Sequence, residues 1–83
     1  MLIKLHEVAS CAWFNMKHIT EQEEGIKFAL ATLPVNYYGT RKDCALYLID
    51  KIDIATTNAI NNPRLYNGCI AIYNAMVKEL LTV

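Results

Sequence analysis

The chain has 83 residues, of which 54% are hydrophobic and 19% charged, and its formal net charge at pH 7 is zero with neutral histidines. This length fits one domain, and the charged share is below the usual value of about 25%. The even balance argues against a nucleic-acid binder, which normally carries a basic stripe, and against an acidic mimic of nucleic acid.

Three widely spaced cysteines form no Cys-x-x-Cys pair, which argues against a disulfide framework or a zinc site. Lys4 and Glu7 interrupt the apolar start, so it lacks the continuous apolar region of a signal peptide. The longest apolar runs are far shorter than a membrane span. We therefore expect a cytoplasmic protein that contacts no membrane and holds no cofactor or metal.

Hydrophobic periodicity predicts a single helical domain over residues 1–83. The first helix, residues 2–18, has a wide apolar face, although a short strand at its start is also compatible with the sequence. The second, residues 21–33, opens on a capping box that begins at Thr20, and it ends before Pro34.

The third helix, residues 41–60, is predicted to be capped by Thr40, with Ile49 and Ile60 on its buried face. A fourth, residues 63–81, follows Asn62 as the N-cap and has the strongest amphipathic pattern.

Short connections between these helices favour antiparallel neighbours. The sequence thus predicts an all-α fold, a compact four-helix antiparallel bundle. Gly68 costs about 1 kcal/mol relative to alanine inside a helix. Close approach of a neighbouring helix would explain this glycine.

Six large apolar side chains fall outside the predicted core faces. One interpretation is that the helical phase is predicted imprecisely, so that some of these side chains in fact point inward. Single exposed hydrophobic residues are also normal. Six over three helices exceed what a monomer usually exposes if they are contiguous. We favour a partner interface, with a different protein or with a second copy, made of Ile3, Phe14, Phe28, Leu46, Tyr47 and Ile54.

A second candidate site lies where the third helix begins. Backbone N–H groups at a helix N-terminus favour anions, an arginine can fork onto a phosphate, and a tyrosine ring can stack on a base. The simpler interpretation is a capped loop whose tyrosines cover the end of the bundle. The candidate ligand-binding residues are Tyr37, Tyr38, Thr40, Arg41 and Lys42.

The sequence contains no convincing catalytic group. Cys11 and His18 share one side of the first helix, but seven residues separate them by about 10.5 Å of helical rise. That separation is too long for the hydrogen bond of a cysteine–histidine pair. We therefore expect no enzymatic activity.

Residues 33–60 resemble the helical hairpin of phage anti-defence proteins that sequester cyclic nucleotides. The shared features are Leu33-Pro34, Arg41 at a helix start, the run from Leu46 to Asp50, and a closing Ala59-Ile60. The chain departs from that pattern where a Glu-Glu pair and a tryptophan are expected, since Asp50-Lys51 and Ile54-Ala55 stand there. The resemblance implies an anionic nucleotide ligand.

Two functions follow from these observations. The first is a small non-enzymatic interaction protein, of the immunity, inhibitor or adaptor kind, that occludes a partner protein through an apolar helical surface. The alternative is an oligomeric protein of phage anti-defence type that sequesters a small anionic nucleotide. A helix-turn-helix DNA binder ranks below both, because the third helix becomes largely apolar after Lys42.

Overall fold

The computed structural model describes residues 1–16 and 22–82 and confirms the all-α class. A two-residue antiparallel strand pair accompanies the helices in this part of the chain. The elements in chain order are β1 (Ile3–Lys4), α1 (Leu5–Met16), α2 (Glu23–Thr32), β2 (Tyr38–Gly39), α3 (Arg41–Ala59) and α4 (Pro63–Leu81).

Helix α4 is the centre of the fold, because α1, α2 and α3 all pack against it. Its periodic apolar face supplies much of the core, as the amphipathic pattern predicts. The largest fully buried side chains come from all four helices and are Leu5, Ile26, Leu48, Ile72, Met76, Cys44 and Cys69.

Two glycines let α2 and α4 touch backbone to backbone. A Cβ atom built on Gly68 would lie 2.7 Å from the Cα atom of Gly25 and 2.6 Å from the carbonyl oxygen of Gln22. A Cβ atom on Gly25 would overlap the carbonyl oxygen of Leu65. The thiol of Cys69 donates to the carbonyl oxygen of Gly25 at 3.4 Å. The close approach predicted from Gly68 is confirmed.

The starts of α3 and α4 agree with the sequence. The Thr40 hydroxyl accepts a hydrogen bond from the Asp43 N–H at 3.1 Å, and the Asn62 side chain accepts one from the Leu65 N–H at 3.3 Å. Pro63 occupies the first turn of α4, where its missing N–H costs nothing.

The predicted start of the first helix at residue 2 is wrong, and the strand alternative is the better description. Ile3 pairs with Gly39 and Lys4 with Tyr38, and the Leu5 N–H donates to the carbonyl oxygen of Tyr37 at 3.0 Å. The pairing is long-range, so helical periodicity alone cannot reveal it.

The predicted burial of Ile49 and Ile60 is also wrong, because both side chains are exposed. Ile60 lies just beyond the end of α3 at Ala59. Ile49 points away from α4, since the buried face of α3 is the narrow row formed by Cys44, Leu48 and Ala55.

The junction between the first two helices is only partly described. The predicted ends at residues 18 and 21 and the Thr20 cap lie outside the described residues. Gln22 precedes α2 without a side-chain capping hydrogen bond. Within residues 1–16 and 22–82, no helix is long and apolar enough to cross a membrane.

We predict that Gly68→Ala destabilises the protein, although alanine favours helix formation by about 1 kcal/mol. The new methyl group would clash with the backbone of α2, and overpacking of this kind typically costs about 1–3 kcal/mol. Urea denaturation should show a lower midpoint. Asn67→Ala, at the exposed neighbouring position, is the control and should not destabilise. A gain in stability for Gly68→Ala would contradict the close crossing.

Candidate functional site: a groove between α2, α3 and α4

A groove of about 220 Å³ lies between α2 and α3, with α4 beneath it. Its wall is a mixture of apolar and polar side chains. Two of them, Phe28 and Ile54, belong to the apolar set that the sequence predicts as an interface. The lining residues are Phe28, Thr32, Lys51, Ile54, Ala55, Asn58, Tyr66, Cys69 and Tyr73.

Phe28 forms the α2 side of the groove, and its side chain remains 40% exposed. The Phe28 ring meets the Tyr66 ring edge to face, with centroids 6.1 Å apart and an interplanar angle of 79°. Such aromatic pairs are favourable beyond the area they bury. The contact therefore holds the Phe28 ring in place while much of it stays in water.

Ile54 forms the α3 side of the groove and is 50% exposed. The next residue, Ala55, is buried and small, so α3 fills little of the space above α4. Phe28 and Ile54 thus flank an opening that no side chain of the described residues closes.

The hydroxyl group of Thr32, an exposed residue that lines the groove, already has hydrogen-bond partners. The Thr32 hydroxyl lies 3.1 Å from the carbonyl oxygen of Phe28 and 3.0 Å from that of Ala29, to which it donates. Burial raises the pKa of Tyr73, while a hydrogen bond with Thr32 acts in the opposite direction. Tyr73 therefore stays neutral at physiological pH, and its ring presents an uncharged surface.

Lys51 supplies the charge at the groove. Its ammonium lies 5.6 Å from the centroid of the Tyr47 ring, within the range of a cation–π contact. Burial raises the pKa of the Cys69 thiol, so this lining residue also remains neutral. Among the described lining residues, Lys51 at the edge of the groove is thus the charged one, and the rest of the wall is uncharged.

The remaining predicted interface residues lie elsewhere. Phe14 on α1 is 66% exposed, and it borders an open depression shared with Cys11, Asn15 and Glu79. Leu46 is exposed on α3.

Two predicted interface residues are less exposed than their helical phase implies. Ile3 is half-buried because it lies in β1, where helical phase does not apply. Tyr47 is half-buried because its ring packs on the Tyr37 ring with centroids 4.8 Å apart. Both contact the core, so neither side chain is fully available to a partner.

The residues of the predicted anion site are largely engaged in holding the fold together. The Arg41 guanidinium donates to the carbonyl oxygen of Leu80 at 2.6 Å, at the C-terminal end of α4. The Thr40 hydroxyl caps α3, and so occupies an N–H group that an anion would use. The Tyr37 hydroxyl lies 3.5 Å from the carbonyl oxygen of Asp43, to which it donates.

Tyr38 and Lys42 remain exposed at this end of the molecule. The Lys4 ammonium lies 5.8 Å from the centroid of the Tyr38 ring. The structure thus brings the five predicted ligand residues near the start of α3, but it gives four of them contacts within the chain. The prediction of an anion site stays a prediction.

Sequence reasoning did not identify the inner wall of the groove, which is formed on α4 by the half-buried Tyr66 and the buried Tyr73. Their spacing on α4 indicates only that they pack against the rest of the fold. The groove is lined by three helices, so no spacing within one helix indicates which rings lie beside an opening.

The described residues contain no group of three or more His, Cys, Asp and Glu side chains arranged to hold a metal ion. Cys11 is exposed, whereas His18 lies outside the described part of the chain. No protein-family model matches the sequence, and comparisons with curated proteins and with solved structures find no significant match.

We predict that Arg41→Ala lowers the free energy of unfolding by about 1 kcal/mol in the absence of any ligand. The substitution removes a cation and a hydrogen bond from the negative end of the α4 dipole. Thermal or urea denaturation measures the loss. Arg64→Ala is the control, because the exposed Arg64–Glu24 pair lies at the opposite end of α4. An unchanged stability for Arg41→Ala would show that this guanidinium is free for another role.

Proposed function

We propose that this chain is a small non-enzymatic interaction protein, of the immunity, inhibitor or adaptor kind, that binds and occludes a partner protein. The observation that carries the proposal is the groove flanked by the half-exposed side chains of Phe28 and Ile54. An exposed aromatic ring beside an apolar depression is typical of the anchors that dominate binding energy at protein interfaces.

The size of the groove favours a protein partner over a small molecule. At about 220 Å³ it is smaller than typical small-molecule sites, which occupy about 300–1,000 Å³. It can accept an apolar side chain from a partner, which would pack between Phe28 and Ile54 over Tyr73. Lys51 at the edge would favour an acidic group beside that side chain.

The proposed mechanism is steric. A partner seated on the groove would lie across α2 and α3 and would be unable to use the same surface for another contact. Contacts around Phe28 and Ile54 that exclude water would strengthen the binding, as they do around hot-spot residues at protein interfaces. The mechanism requires no chemical reaction by the chain, only a surface that is formed before the partner binds. The contact between the Phe28 and Tyr66 rings holds that surface in place.

We also propose that helices that follow one another in the chain run antiparallel, in a four-helix bundle. The support comes from their ends. Arg41 at the start of α3 bonds Leu80 at the end of α4, and only residues 60–62 connect these helices. Glu24 lies against Arg64 near the starts of α2 and α4, and Thr32 and Tyr73 line the same groove farther along both helices. Helices α2 and α4 therefore run in the same direction, as alternate helices of such a bundle do.

The alternative function, sequestration of an anionic nucleotide, has less support. Its central residue, Arg41, already donates to a helix carbonyl, and Thr40 already caps α3. The exposed Tyr38 and Lys42 are the residues that remain available to a ligand. This function would require Arg41 to exchange its present partner for a phosphate.

We predict that Phe28→Asp and Ile54→Asp each abolish capture of the same partner protein by the tagged chain. Either substitution removes an apolar anchor and puts in its place a carboxylate that loses its water on binding. The control is Phe14→Asp, the same type of change at an exposed phenylalanine outside the groove, which should leave capture intact.

Quantitative mass spectrometry of the captured proteins compares the variants. Circular dichroism and thermal melting exclude loss of the fold, which matters most for Phe28 because its ring contacts Tyr66. Equal capture by wild type, Phe28→Asp and Ile54→Asp would refute the groove as the partner site.

A further inference from the structure

The outer side of α3 carries a regular row of exposed residues that the groove does not use. Its members are spaced four, three and four residues apart, and all are exposed: Lys42, Leu46, Ile49 and Asp53. On a helix with 3.6 residues per turn these positions fall within about 60° of one another. We call this row the α3 seam.

The seam lies roughly opposite the face that packs on α4. That buried face is formed by Cys44, Leu48 and Ala55, about half a turn away. At the centre of the seam, the Leu46 side chain is 55% exposed and the Ile49 side chain 47% exposed. Alternating four- and three-residue spacing is the pattern by which one helix packs along another in a coiled coil.

The order of charges along the seam identifies a second copy of the chain as the matching surface. If two α3 helices pair antiparallel, with a two-fold axis between residues 47 and 48, Leu46 of each copy faces Ile49 of the other. In the same register, Lys42 of each copy faces Asp53 of the other. One seam is therefore complementary to itself, as a two-fold symmetric interface requires.

A parallel pairing fails this test. It would place Lys42 beside Lys42 and Asp53 beside Asp53, so that like charges meet at both ends. Among the described residues, neither Lys42 nor Asp53 forms an ion pair within the chain, whereas Lys27 bonds Glu23 at 2.7 Å. Both charges at the ends of the seam are thus available to another copy.

We propose that the α3 seam is a self-association surface through which two copies pair antiparallel. The inference goes beyond the proposed function, because the seam and the groove occupy different sides of α3. Asp43 and Asp50 border the seam, and in this register Asp43 of one copy approaches Asp50 of the other. Their mutual repulsion makes the association weak, so monomer and dimer exchange with concentration.

Charge reversal tests the pairing. Lys42→Asp creates two aspartate–aspartate contacts in the symmetric dimer, and Asp53→Lys creates two lysine–lysine contacts. Each variant alone should therefore remain at the monomer mass of 9.4 kDa in sedimentation experiments, at concentrations where the wild type approaches twice that mass. An equimolar mixture of the two variants should recover the dimer, because the two seam aspartates of one copy then face the two seam lysines of the other.

Two controls accompany the mixture. Leu46→Lys should lose the dimer in every combination, and Ile54→Asp, which alters the groove, should keep it. Circular dichroism confirms that all variants stay helical. A wild type that stays monomeric over a hundredfold concentration range would overturn the proposal, as would single variants that still dimerise or a mixture that does not. Capture of a partner through the groove is unaffected by any of these outcomes.

Discussion

The backbone contact between Gly25 and Gly68 fixes how closely α2 lies on α4. With no Cβ atom on either residue, α2 lies directly on α4, and Cys69 bonds the backbone of α2. The contact sets the height of α2 above the centre of the fold. Phe28, one turn farther along α2, then reaches the Tyr66 ring and stands beside the groove. A wider crossing would separate these rings and remove one wall of the site.

Three sides of helix α3 have different roles. One narrow face, which includes Leu48, packs on α4 and stabilises the fold. A second side presents Ile54 to the groove, and the outer side presents Leu46 and Ile49 to solvent. A chain this short buries only a modest fraction of its surface, so apolar residues beyond the small core stay exposed. These residues are the physical reason to expect partners.

Local signals made much of the fold predictable from the sequence. Thr40 and Asn62 mark helix starts because a cap depends only on residues a few positions away. A glycine inside a helix is itself a local signal, so Gly68 indicated a close helix contact. No nearby residue identified Gly25 as the other side of that contact. The hydrogen bond from Arg41 to Leu80 could not be predicted locally, because the two residues lie 39 positions apart in the chain. The groove is lined by three helices, so the sequence predicts Phe28 and Ile54 as members of one apolar interface but not as the two sides of one opening.

The most direct test of this account is the distance between the two glycines in solution. Nuclear Overhauser spectroscopy on uniformly labelled protein can report whether the α-protons of Gly25 and Gly68 are neighbours. We predict a strong cross-peak between them, accompanied by contacts between the Phe28 and Tyr66 rings. Assigned glycine signals without that cross-peak would contradict the close crossing, and the groove that depends on it would be lost.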